Sequence, residues 1–80
     1  MEFKQEGYWI CRHPAHPNPL EIFEATELKK ASEMEGGYVL IANTDTYETA
    51  LERVQSIIME VYRRDPQMKD LKMQIRDLYQ

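Results

Sequence analysis

Seven apolar residues between Asp45 and Arg64 decide most of what this chain can fold into. Tyr47, Ala50, Leu51, Val54, Ile57, Ile58 and Val61 follow one another at steps of three, one, three, three, one and three, so they share one stripe of an α-helix. Glu48, Glu52, Arg53, Gln55, Ser56, Glu60 and Arg63 fill the opposite face. Asp45 is placed to accept from the free amides of the first turn, and Glu48 stands three residues on, in capping-box position. Arg63 and Arg64 sit where the helix dipole favours cations, and Asp65-Pro66 ends the helix. So wide a stripe has to be covered, and a chain of 80 residues has little else to cover it with.

That length means one domain, 1–80, and chains of this size bury only about 60% of the surface they expose when unfolded. The single cysteine, Cys11, rules out an internal disulfide and leaves packing, a metal or self-association to add stability. One Cys and five Met suit a reducing compartment. Residues 1–6 hold no apolar core for a signal peptide, and no run approaches the roughly 18 apolar residues of a membrane span. A cytoplasmic location with no membrane contact is the expectation.

Charge is unevenly spread. The net value is −4, yet residues 1–60 hold eleven acids against five bases, while residues 61–80 hold five bases against three acids. An acidic body is a poor match to a phosphate backbone, because nonspecific nucleic-acid affinity comes mainly from Lys and Arg.

Along the chain, Phe3–Glu6 alternates weakly and Gly7 breaks it before Tyr8–Arg12, whose aromatic and β-branched content predicts a strand. Trp9 and Cys11 share one face of that strand, Tyr8 and Ile10 the other. From His13 to Pro19 the chain reads His-Pro-Ala-His-Pro-Asn-Pro, with three prolines in six positions, so neither ladder nor helix forms and an extended, stiff loop is expected. Leu20–Ala25 then reads as a half-buried strand, antiparallel to Tyr8–Arg12. Thr26–Glu35 reads as a short helix capped by Thr26 and closed at Gly36, with a continued meander as the alternative. Tyr38–Ala42 has no charged residue and reads as a central strand buried on both faces, with Asn43-Thr44 turning out of it. After Asp65-Pro66, good N-cap and N1 chemistry, a last helix is expected over 66–80. Its Met68, Leu71, Ile75 and Leu78 step by three, four and three, a narrow seam suited to one partner helix.

Three constellations could carry chemistry. Cys11, His13 and His16 form a C-x-H-x-x-H cluster for a metal, with Glu21 or water as the fourth ligand, but no second Cys or His pair exists to complete a zinc site. Cys11 with His13 or His16 could also form a thiolate nucleophile, although no oxyanion hole, phosphate loop or carboxylate pair accompanies it. The third is an interface: Trp9, Arg12, His13 and His16 beside a loop that loses little entropy on binding. In the tail, Arg63, Arg64, Lys69, Lys72 and Arg76 could face nucleic acid in a dimer, but Asp65, Asp70 and Asp77 interrupt them. Glu21, Glu24, Glu27, Glu33 and Glu35 could instead meet the basic surface of a nucleic-acid-binding protein.

Together these readings predict an α+β domain: a sheet of about three strands on the Thr46–Arg64 helix, plus a C-terminal helix. The expected role is a non-enzymatic protein-interaction module, a small acidic regulator or inhibitor of a larger protein. It would need no cofactor, and it would be a homodimer joined through Met68, Leu71, Ile75 and Leu78, with Trp9, Arg12, His13 and His16 meeting the partner. A metal or cysteine site at Cys11, His13 and His16 is the runner-up.

Overall fold

A computed structural model describes residues 4–79; Phe3 and the rest of the first three residues lie outside it, as does Gln80. The order is β1 (Tyr8–Arg12), β2 (Glu21–Glu24), α1 (Ala25–Met34), β3 (Val39–Thr44), α2 (Tyr47–Arg64) and α3 (Leu71–Leu78), an α+β fold. The sheet runs β2-β1-β3 with both pairings antiparallel. β1 is therefore the central strand. β3, expected there from its apolar run, lies at an edge with all six residues half-buried. It also continues through Asn43 and Thr44, where a turn was expected.

Alternation along β1 divides the core in two. Trp9 and Cys11 face one side with Ala25 and Leu28, under α1, and Phe23, Tyr38 and Leu40 pack around them. Ile10 faces the other side with Ala50, Ile57, Val61 and Ile75, under α2 and α3. Both sheet faces are thus covered, as a central strand with no exposed residue requires. The register between β1 and β3 slips between Ile10 and Cys11, which face Ala42 and Leu40. Before β1, Gly7 turns the chain at φ +75°, and a Cβ there would stand 2.2 Å from the Thr44 carbonyl oxygen. Only glycine fits.

The helix ends depart from their expected chemistry in specific ways. Thr46, not Asp45, caps α2: its hydroxyl accepts from the Thr49 amide, and the Thr49 hydroxyl accepts from the Thr46 amide. Glu48 takes no part in that box. Thr26 lies inside α1 and donates to Glu24, the N-cap residue. At the other end Glu35, not a left-handed Gly36, closes α1 through its amide on Ala31.

Asp65-Pro66 does not start the last helix. Asp65 is the C-cap of α2, and its carboxylate accepts from the amides of Gln67 and Lys69 and from the Gln74 side chain. These bonds, that from Lys69 above all, hold its pKa below the ordinary value. α3 starts five residues later at Leu71, capped by the Asp70 carboxylate, with Met68 and Asp70 both at positive φ in the connecting turn.

The seam expected to join two chains is used within one. Ile75 is fully buried against the α2 side of the core, and Leu71 and Leu78 pack beside it. Met68 lies before the helix and is not part of a helical seam. Among the described residues, no helix is long and apolar enough to cross a membrane.

Candidate functional site

The first half of the proline loop, His13 to His16, is held by hydrogen bonds that its own sequence could not reveal. At its start, His13 is buried, and its Nδ1 accepts the Ala15 amide at 3.1 Å. The proton therefore sits on Nε2, which donates to the Gly36 carbonyl at 2.7 Å and lies 3.2 Å from Glu35 Oε1. A Cβ on Gly37, at φ +105°, would stand 2.9 Å from that nitrogen. The glycine is what lets the α1–β3 turn approach the imidazole.

Three residues on, His16 stacks on His13 with ring centres 4.0 Å apart and planes 10° from parallel. Tyr38 meets both rings edge-on. Each nitrogen of His16 lies 2.5 Å from a carboxylate oxygen, Nδ1 from Glu21 and Nε2 from Glu35. Ionised carboxylates only accept, so this arrangement favours a proton on both nitrogens, the imidazolium form. The bond to Glu21, then that to Glu35, raises its pKa above 6.5. Folding thus favours the charged form. The resulting stabilisation is complete below about pH 6.5 and is lost as the pH rises through the raised folded-state value. Melting curves of the wild type and His16→Gln should differ more at pH 6 than at pH 9; a gap independent of pH would contradict the ion-paired clamp.

This clamp absorbs two of the candidate metal ligands. His13, His16 and Glu35 are the group among the described residues whose donor atoms lie within 4.8 Å of one another. Both Nε2 atoms reach the same Glu35 oxygen, at 3.2 Å and 2.5 Å, and in this arrangement they meet it as hydrogen-bond donors, while His13 Nδ1 accepts the Ala15 amide. As built, the cluster is a hydrogen-bonded fastening between the loop, β2 and the end of α1.

Cys11 is outside that group. It is fully buried against Trp9, Ala25 and Leu28, and burial first, with the Glu21 charge second, pushes its thiol pKa up to about 12. A thiol so held offers neither a thiolate nucleophile nor a ready ligand. Trp9, expected at an interface, is 1% exposed, and its indole N–H donates to the Lys4 carbonyl at 2.8 Å. The acidic run is also divided: Glu21 and Glu35 are taken by His16, and Glu24 accepts from Thr26.

One accessible groove lies between the start of the loop and α3. Arg12, His13, Pro14, Asp70, Lys72 and Arg76 line it together with Met73, and it encloses about 230 Å³. Its walls are braced. Lys72 donates from Nζ to the Pro14 carbonyl at 2.8 Å and to the His16 carbonyl, and Arg12 Nε reaches the Tyr79 carbonyl at 3.4 Å. Three cations thus line the groove; Arg76 is ion-paired to Asp77 at 3.3 Å, and the one carboxylate in the lining, Asp70, is turned to the Met73 amide as a cap. In the sequence Lys72 and Arg76 stood among five bases interrupted by Asp65, Asp70 and Asp77; that they line one groove with Arg12 was not legible there. No family model, no curated protein and no solved structure matches the chain.

Proposed function

We propose that this domain is a non-enzymatic protein-interaction module, which regulates or inhibits a larger protein by seating an acidic segment of it in the Arg12–Lys72–Arg76 groove. One observation carries this reading: cations from the end of β1 and from α3 line a single braced groove in a chain whose net charge is −4. A groove held open before binding loses little entropy when filled. The guanidinium of Arg12 suits a carboxylate, because its fork matches two acceptor oxygens.

The charge balance limits the ligand. A short acidic segment neutralises the groove, whereas a nucleic-acid backbone would run on over the acidic body and be repelled. The buried thiol at Cys11 and the hydrogen-bonded histidines support a binding role over a catalytic or metal-dependent one.

The test is calorimetric titration with a blocked hexaglutamate peptide. Arg12→Gln should weaken binding about tenfold, the value of one charge-assisted hydrogen bond near 1.5 kcal/mol. Arg53→Gln removes an exposed charge of α2 outside the groove and should leave affinity unchanged. Equal weakening by both variants would reduce the effect to net charge and overturn the assigned site, as would no binding by the wild type.

A further inference from the structure

The core does not cover the whole α2 stripe, although Val54 and Ile58 pack against that core in part and Tyr47 meets Tyr8 edge-on. Ala50, Ile57 and Val61 are buried, but Tyr47, Leu51 and Tyr62 are 51%, 41% and 47% exposed, and Ile58 is half-buried between them. These four residues form a second apolar line along the same helix. Its spacing is symmetric: Tyr47 and Tyr62 lie equally far from the midpoint between Val54 and Gln55, and so do Leu51 and Ile58. The order is aromatic, aliphatic, aliphatic, aromatic from either end, over roughly 22 Å of helix.

We infer that this face receives a second copy of the chain, with the two α2 helices antiparallel about a two-fold axis at that midpoint. In this arrangement Tyr47 meets the other copy's Tyr62, and Leu51 meets its Ile58, so the same patch serves both partners, as an isologous interface requires. Charge selects the antiparallel direction. The first turns of α2 carry Glu48 and Glu52, while its last turn carries Arg63 and Arg64, which share the single carboxylate of Glu60 and leave that turn with one positive charge in excess. Antiparallel packing brings the acidic end of one helix to the basic end of the other and opposes their dipoles. A parallel pair would set Glu48 and Glu52 against their own copies. Ile75, the centre of the α3 seam, is already covered within its own chain, so the α2 face is the surface proposed for the second copy. One helix pair is a small interface beside the usual 800 Å² or so per partner, and the dimer is therefore concentration-dependent.

Sedimentation velocity of the full chain over a concentration series tests the association. A monomer–dimer equilibrium that Leu51→Asp shifts to monomer by at least tenfold in Kd is expected, with the far-UV spectrum kept because Leu51 is outside the core. A wild type that stays monomeric into the high micromolar range overturns the proposal, and so does a dimer indifferent to Leu51→Asp. Direction is read by oxidation of mixed single-cysteine additions. Leu51→Cys with Ile58→Cys should cross-link as a heterodimer in preference to either alone; preferred Leu51→Cys self-pairs would overturn the antiparallel register. The groove at Arg12 contains none of these residues, so peptide binding there and dimerisation fail or succeed separately.

Discussion

Trp9→Ala should cost about 3–5 kcal/mol of folding free energy, the range for removing a large aromatic side chain from a packed interior. The indole is buried at the centre of the sheet's α1 face, between Cys11 and Leu28, and also loses its bond to the Lys4 carbonyl. A domain of this length holds only about 4–12 kcal/mol in total, so the variant is expected to be largely unfolded near 37 °C. Urea unfolding followed by far-UV circular dichroism measures the loss without relying on the missing fluorophore. Trp9→Phe retains most of the ring and should lose clearly less. A cost below about 1 kcal/mol for Trp9→Ala would mean a surface residue, and would reopen its assignment to an interface.

Ile75→Asp is expected to prevent folding outright. The substitution opens a hole among Ile10, Ala50, Ile57 and Val61 and places in it a carboxylate with no basic partner. Lost packing of about 2–5 kcal/mol and a desolvation penalty of several more together exceed what the domain holds. Met73→Asp, on the exposed side of the same helix, is the control and should melt near the wild type. The pair separates a helix that completes its own core from one that waits for another chain. Were α3 held only by a partner, Ile75→Asp would give a folded monomer with native circular dichroism.

How far the sequence could be read depended on the range of the interactions concerned. β1 and α2 were legible because periodicity and composition are local properties; β1 buries its apolar residues as read, whereas α2 buries Ala50, Ile57 and Val61 but leaves Tyr47 and Leu51 of the same stripe exposed. The position of β3 was not legible. An apolar run reports burial, but the edge position comes from β1 carrying Trp9, Ile10 and Cys11, the residues both α layers close on. Asp65-Pro66 shows a different limit. Aspartate before proline suits a helix start, yet the Asp65 carboxylate binds amides two and four residues on and makes a turn, leaving Asp70 to start α3. Thr46 and Asp45 are adjacent and chemically equivalent as caps, so the choice fell to Thr49, whose hydroxyl completes the reciprocal pair.

The site was legible by half. His13, His16 and Arg12 stood out as loop residues, and the Cys-His spacing suggested metal chemistry. The counter-evidence is long-range: Glu35 and Gly36 reach the histidines from the end of α1, and Leu28 seals Cys11. No local signal marks those contacts. Lys72 and Arg76, interleaved with aspartates, looked like a solvated face until the fold set them opposite Arg12.

Chemical-shift mapping of the isotopically labelled domain during titration with blocked hexaglutamate shows directly whether an acidic segment seats in the Arg12–Lys72–Arg76 groove. Saturable shifts confined to Arg12, His13, Lys72, Met73 and Arg76 are expected, with the midpoint moved to about tenfold higher peptide concentration in Arg12→Gln. Shifts spread over the surface in proportion to ionic strength, or clustered away from the proline loop, would contradict that seating.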